Sequence, residues 1–109
     1  VTKIEAYAFH GCTSLKSITL PNSVTNIEEY AFYCCSNLSS IILPNTVAEI
    51  GNAIFQDCTS LQSISIPDSV KSIGEDAFTG TDKQFIIQCS FGSYAEEYCR
   101  KNKIKYQLV

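Results

Sequence analysis

Apolar positions recur along this chain at a fixed step of 23 residues. Phe9, Phe32, Phe55 and Phe78 share one register, Ile4, Ile27, Ile50 and Ile73 a second, and Val1, Val24, Val47 and Val70 a third. Pro21, Pro44 and Pro67 keep the same step, as do Cys12, Cys35 and Cys58. Self-similarity at this period marks a stacked array, in which each unit buries its apolar face only against its neighbours. Within a unit, Leu15-Lys16-Ser17-Ile18-Thr19-Leu20 alternates apolar and polar side chains, as a half-buried strand does. Leu38–Leu43 and Leu61–Ile66 repeat it. Successive units therefore predict parallel strands about 4.8 Å apart. Their outward positions are Ser17 and Thr19, Ser40 and Ile42, Ser63 and Ser65, then Ile86 and Gln88. Proline closes each strand because it has no N–H to extend the ladder. Pro-Asn-Ser, Pro-Asn-Thr and Pro-Asp-Ser then supply a turn. Val24 to Ile27 and its equivalents predict a second, shorter extended face. The Ala31-Phe32 region predicts a short helical or turn segment that wedges a ring between coils.

The period fails after Thr81. Phe85–Cys89 still reads as a strand, but Ser90 stands where a proline is due. Ser93 with Glu96 three residues on forms a capping box. Tyr94, Ala95, Tyr98 and Cys99 share one face at helical spacing. Glu96 and Glu97 lie in the first turn and Arg100 and Lys101 in the last, as the helix dipole favours. An amphipathic helix here would cover the last open rung. Ile104–Tyr106 reads as a final edge strand. The organisation is thus repeats over residues 1–89, about four units, and a cap of helix plus strand over 90–109. No comparable cap precedes Val1, Ile4, Phe9 and Cys12, so an open apolar rung begins the stack. That predicts further repeats upstream in a parent protein, of which this chain, starting at Val1 and lacking Met, reads as a piece.

The residues Leu38-x-x-Ile41-x-Leu43, Ile27-x-x-x-Ala31-Phe32 and Ile50-x-x-x-Ile54-Phe55 resemble leucine-rich repeats. The 23-residue length, the Cys-x-x-Leu step and the strand-ending proline are similar to the BspA-like, Treponema-type subfamily, over about residues 1–89. The Gly-Ser-Tyr-Ala-Glu-Glu-Tyr ending is familiar there too. The resemblance implies an α/β fold: a right-handed leucine-rich-repeat solenoid of parallel strands with a C-terminal capping helix. It also implies a secreted or cell-surface protein that adheres to host or matrix proteins.

Charge and composition narrow the partners. Net charge is −3 with acids and bases interspersed, which speaks against nucleic acid or an anionic membrane. No apolar run reaches the roughly 18 residues of a membrane helix. Six cysteines invite a disulfide framework. Their columns suggest otherwise: Cys12, Cys35 and Cys58 occupy an apolar position and read as buried thiols, although adjacent rungs are close enough for a bridge. Cys89 shares the column of Leu20, Leu43 and Ile66 and reads as core, and Cys99 belongs to the buried face of the cap. Cys34 shares a column with Gly11, Asp57 and Gly80, and is expected to be the exposed thiol.

Chemistry is thin. Cys34-Cys35 is adjacent rather than spaced for zinc, and cysteines 23 residues apart make a ladder, not a tetrahedron. His10, the only histidine, shares a variable column with Tyr33, Gln56 and Thr79 and reads as solvated. No catalytic constellation, phosphate loop or cofactor motif is present. Glu5, Glu28, Glu29, Glu49 and Glu75 read as a solvated face. Asn37-Leu38-Ser39 matches a glycosylation sequon. What remains is the strand face of Ser17, Thr19, Ser40, Ile42, Ser63, Ser65, Ile86 and Gln88. The expectation is a non-enzymatic module whose partner is a protein; the alternative is a passive terminal segment, with binding carried elsewhere.

Overall fold

The computed structural model describes residues 2–109 and shows a parallel-strand solenoid closed by one helix. Val1 lies outside the described residues, and with it the first position of the valine register. Two rows of strands run up the stack. The short row is β1 (Lys3–Ile4), β3 (Asn26–Ile27), β5 (Glu49–Ile50) and β7 (Ser72–Ile73), joined in parallel in the order β1-β3-β5-β7. The long row is β2 (Ser17–Thr19), β4 (Ser40–Ile42), β6 (Ser63–Ser65), β8 (Ile86–Cys89) and β9 (Tyr106–Leu108). Register follows the sequence period: Ile4 pairs with Ile27, Ile27 with Ile50, Ile50 with Ile73, and Ile18 with Ile41.

The long row is not one sheet. β2 pairs with β4, and β6, β8 and β9 pair with one another, but β4 and β6 lie side by side without a ladder. Leu20 N–H donates to Ile42 O (3.1 Å) and Ile66 N–H to Gln88 O (2.9 Å), whereas no equivalent bond joins Leu43 to Ser65. The even sheet predicted by the repeat is therefore split in the middle, because the backbone bonds that close each strand pair are absent at this one step.

The third side of each coil is a turn, not a helix. Two residues per turn take left-handed φ: Tyr7 (62°), Tyr30 (59°), Ala53 (55°) and Asp76 (58°) in one column, and Gly11 (68°), Cys34 (60°), Asp57 (62°) and Gly80 (79°) in the other. This alternation points every second N–H at the next rung, so a helical ladder cannot propagate. Phe9 N–H donates to Ala31 O (2.7 Å), Phe32 N–H to Ile54 O (3.1 Å) and Phe55 N–H to Ala77 O (2.8 Å). The intervening N–H groups bond locally, as Ala8 does to Glu5 O (3.1 Å).

Between these three sides the apolar registers form the core. Phe9, Phe32, Phe55 and Phe78 stack ring on ring at 5.1, 5.6 and 5.7 Å. Phe85 adds a fifth ring, 5.1 Å from Phe78. Its equivalents one residue before the paired strands, Lys16, Ser39 and Gln62, are exposed, so this inward turn is invisible to the period. Val24, Leu38, Val47, Leu61 and Cys58 are fully buried in the same core.

Helix α1 (Tyr94–Asn102) covers the last rung. Ser93 caps it by accepting from Glu96 N–H (3.2 Å). Glu96 reaches back to Gly92 N–H (2.7 Å) rather than to the N–H of Ser93, which bonds Ser90 O. Ala95 and Cys99 are buried against the core. Tyr98 OH donates to Gly74 O (2.9 Å) and Tyr94 OH accepts from Ile73 N–H (3.4 Å), so two phenols occupy the edge of β7 that a fifth short strand would fill. The last strand begins at Tyr106, two residues later than Ile104, where the sequence pattern starts it. Lys103 caps the helix in the left-handed region and Ile104 N–H bonds back to Cys99 O, which spends residues 103–105 on the turn.

Candidate functional site

Along the long row, every second side chain faces out. Ser17, Thr19, Ser40, Ser63 and Ser65 are exposed, Ile42 is 59% exposed, and Ile86 and Gln88 are half-buried. The inward partners Ile41, Leu43, Ile64, Ile66, Ile87 and Cys89 are buried. Pairing brings Thr19 opposite Ile42, Ser63 opposite Ile86 and Ser65 opposite Gln88. Ser65 Oγ donates to Gln88 Oε1 (2.8 Å), and Gln88 Nε2 to Gln107 Oε1 (3.5 Å). Gln107 thus extends the face by one strand. Its polar position between Tyr106 and Leu108 is the signal that would have found it. At the split between β4 and β6 a shallow depression of about 230 Å³ opens, lined by Ser40, Ile42, Ser63, Ser65 and Gln88 among others.

The cysteines hold the rungs together. Among the described residues all six are free thiols. Cys35 Sγ donates to Phe9 O (3.0 Å) and Cys58 Sγ to Phe32 O (3.1 Å), each reaching back one rung. Burial pushes the Cys58 and Cys99 thiols up to about 12, and raises Cys35 and Cys89 as well. A thiol held protonated is a poor nucleophile and a poor metal ligand. Cys12 and Cys34 are half-buried. Cys34, the thiol expected to be exposed, lies with its Sγ 4.0 Å from Asp57 Oδ2 on the following rung. Cys12 lies on the first described rung.

Asn37, the residue of the sequon, donates its amide to Thr13 O (2.6 Å) across rungs, a structural use of that side chain. Among the described residues no group of three or more His, Cys, Asp or Glu is placed to hold a metal ion. No helix there is long and apolar enough to cross a membrane.

The turn side carries a feature that column-by-column reading missed. Tyr7 stacks on Tyr30 (centroids 5.0 Å, planes 2° apart) and His10 on Tyr33 (5.3 Å, 12°). Tyr7 meets His10 edge-on at 5.8 Å, and Tyr30 meets Tyr33 edge-on at 5.4 Å. Four rings therefore close a square over the first two rungs. His10 is exposed, as expected, but it is one corner of this square rather than an isolated side chain. The available signal was the joint recurrence of aromatic types in two columns three residues apart.

Comparison with known proteins agrees with this architecture. The model of the BspA type leucine rich repeat region matches residues 1–106 in six copies. A leucine-rich repeat protein from Bacteroides ovatus ATCC 8483 is 35% identical, with a TM-score of 0.72 over 83% of this chain. The T. pallidum leucine rich repeat protein TpLRR is 30% identical, with a TM-score of 0.61 over 81%. The chain spans 25% of the first of these structures and 52% of the second. No curated protein matches. Leucine-rich repeats are generally protein-interaction modules and typically non-enzymatic scaffolds, because stacked strands build an extended surface rather than an enclosed cleft. The registers, the stacked parallel strands and the match across residues 1–106 place this chain in the BspA-type leucine-rich repeat family.

Proposed function

We propose that this chain is a non-enzymatic protein-binding segment of a larger surface or secreted repeat protein, in which adhesion to host or matrix proteins is the use of the fold. In this reading residues 1–89 are the repeats, 90–109 their closing cap, and the contact face is Ser17, Thr19, Ser40, Ile42, Ser63, Ser65, Ile86 and Gln88. The observation that carries it is the exposed row itself. Six of these eight side chains are exposed and the other two half-buried, while their in-strand neighbours are sealed in the core. Ile42, 59% exposed beside the β4–β6 depression, is the most exposed apolar group on the face, Ile86 being half-buried, and is its natural anchor.

The face is small. Five strands at about 4.8 Å spacing and about 13 Å of width give a few hundred Å², against roughly 800 Å² per partner in a standard interface. The reading therefore includes further repeats before this segment in the parent, supported by the half-exposed apolar side chains of Ile4, Phe9 and Leu15 on the first described rung. The same small area favours a second reading, in which this is a passive terminal segment and binding lies elsewhere. Surface plasmon resonance against a panel of purified extracellular-matrix proteins separates the two. For any protein that binds, Ile42→Arg with Ser65→Arg should weaken affinity by about tenfold or more. Unchanged affinity, or no binding anywhere on the panel, would favour the passive segment.

A further inference from the structure

We propose that the turn side of the first two rungs is a second interaction surface, and that it takes a basic protein segment, whose arginine or lysine side chains contact the Tyr7, His10, Tyr30 and Tyr33 rings with Glu29 and Asp57 as the acidic residues of the same turn side. This stands independently of the strand face, which lies on another side of the coil.

Three observations converge on it. The first is the ring square itself. Tyr7 is 53% exposed and His10 exposed, with Tyr30 and Tyr33 half-buried beneath them, so the square is a surface and not core. Rigid tyrosines present wide amphipathic contact area at low entropic cost, and such residues are enriched at binding surfaces.

The second is backbone cost. Tyr7 and Tyr30 sit at φ 62° and 59°, a conformation unfavourable to any residue bearing a Cβ. The same column holds Ala53 and Asp76 on later rungs, so the turn does not require an aromatic ring there. Nor does the other column, which continues with Gln56 and Thr79. The rings are an addition to the fold, confined to two rungs.

The third is charge, which selects the partner. The four turns, residues 5–11, 28–34, 51–57 and 74–80, carry six of the eleven acidic residues and none of the eight Lys or Arg. Lys3 spans Glu5 (3.8 Å) and Glu28 (3.6 Å) and compensates those two. Glu29 and Asp57 have no ion pair among the described residues. Both belong to residues next to the ring turns, Glu29 by sequence and Asp57 by contact across a rung. Glu29 precedes Tyr30, and its carbonyl accepts Tyr7 N–H (3.2 Å). Asp57 lies 4.0 Å from the Sγ of Cys34, the residue after Tyr33. Aromatic rings flanked by uncompensated carboxylates suit a guanidinium or ammonium group, which gains ring contact and charge-assisted hydrogen bonds together. An acidic or neutral apolar segment would gain only the former.

The repeat supplies a variant that preserves the fold. Tyr30→Ala with Tyr33→Gln copies the residues that the third rung already carries, Ala53 and Gln56. Fluorescence anisotropy with a labelled octa-arginine peptide, in low and physiological salt, gives the readout on the whole chain. We expect Y30A/Y33Q and, separately, E29Q/D57N to weaken binding by about tenfold or more, with octa-glutamate not binding. A control variant, D68N/D82N/E97Q, removes three acids outside the turns and should leave affinity within about twofold. Two results with the variants would overturn the proposal. In one, the control loses as much affinity as E29Q/D57N, which makes the binding bulk charge. In the other, Y30A/Y33Q lowers the thermal midpoint but not the affinity, which makes the rings purely structural. Failure of wild type to bind octa-arginine in low salt would overturn it as well.

Discussion

The two ends of the stack carry the same residue types and differ in how deeply they bury them. At the C-terminal end Ile73 and Phe78 are 7% and 6% exposed, because α1 lies against the last rung. At the other end, Ile4, Phe9, Cys12, Leu15 and Ile18 are only partly buried, while their equivalents one rung in are sealed: Ile27 at 1%, Phe32, Cys35 and Leu38 at 0%. Position in the repeat says which way a side chain points. Burial needs a neighbour on each side, and a helix of unrelated sequence serves that purpose nearly as fully as another rung does. The substitution works because Tyr94 and Tyr98 deliver hydroxyls to the backbone of the last short strand while Ala95 and Cys99 supply apolar surface.

The largest effect expected from this comparison lies between ring positions. Phe55→Ala, in the middle of the ring stack, removes a side chain with packed rings on both sides and should cost about 3–5 kcal/mol. Phe9→Ala at the open end removes a half-exposed ring with one stacked neighbour and should cost about half as much. Chemical denaturation of both variants measures this. Equal losses would mean that the first rung is as well packed as the middle and would break the comparison.

A smaller effect separates the ends by pH. Glu96 is 3% exposed in the cap, with Gly92 N–H at 2.7 Å and Arg100 Nη2 at 3.1 Å. The Gly92 hydrogen bond, helped by the Arg100 charge, holds its carboxyl below the ordinary glutamate range, although burial acts the other way. A depressed folded-state pKa contributes stability above the unfolded-state value. That stability is lost as pH falls through the folded-state value. Thermal midpoints should therefore drop below about pH 4.5 in wild type and change less in E96Q over the same window. Parallel curves for the two proteins would show that the cap is not fastened through this carboxylate.

The finest distinction is reactivity of thiols. Native-state alkylation near neutral pH, read by mass spectrometry, should label Cys12 and Cys34 and spare Cys35, Cys58, Cys89 and Cys99 for as long as the stack stays closed. Protection of Cys12 equal to that of Cys99 would show that the open end is covered in solution. The ratio of Cys34 to Cys12 labelling ranks the two half-buried thiols.

Much of this fold was legible because a repeat multiplies weak signals. One Leu-x-x-Ile-x-Leu run is compatible with many structures, but three at a constant step fix the direction, register and inward face of Ile18, Ile41 and Ile64 together. The thiol rungs were legible for the same reason, since a column of Cys12, Cys35 and Cys58 among apolar columns reads as stacked core thiols, while that they are free rather than bridged came from the structure. Where the period stops, the reading lost accuracy. Phe85 joins the ring stack from a column of polar residues, and β9 starts two residues late because the helix C-cap takes up chain. The strand face was named residue by residue from alternation alone, yet its division between β4 and β6 and its extension to Gln107 were not, since both depend on backbone pairing between distant residues. The ring square went unseen for a related reason: His10 and Tyr33 read as a variable column and Tyr7 and Tyr30 drew no reading, until the left-handed turns placed the four in contact.

By itself the sequence determined the period, the alternation within each strand and the order in which apolar columns stack, because those follow from the spacing of side chains along one chain. The tertiary structure decided which columns are sealed, where the sheet divides and which rings meet, because burial, strand pairing and ring contact are properties of neighbouring rungs, and a rung does not carry its neighbours in its own residues.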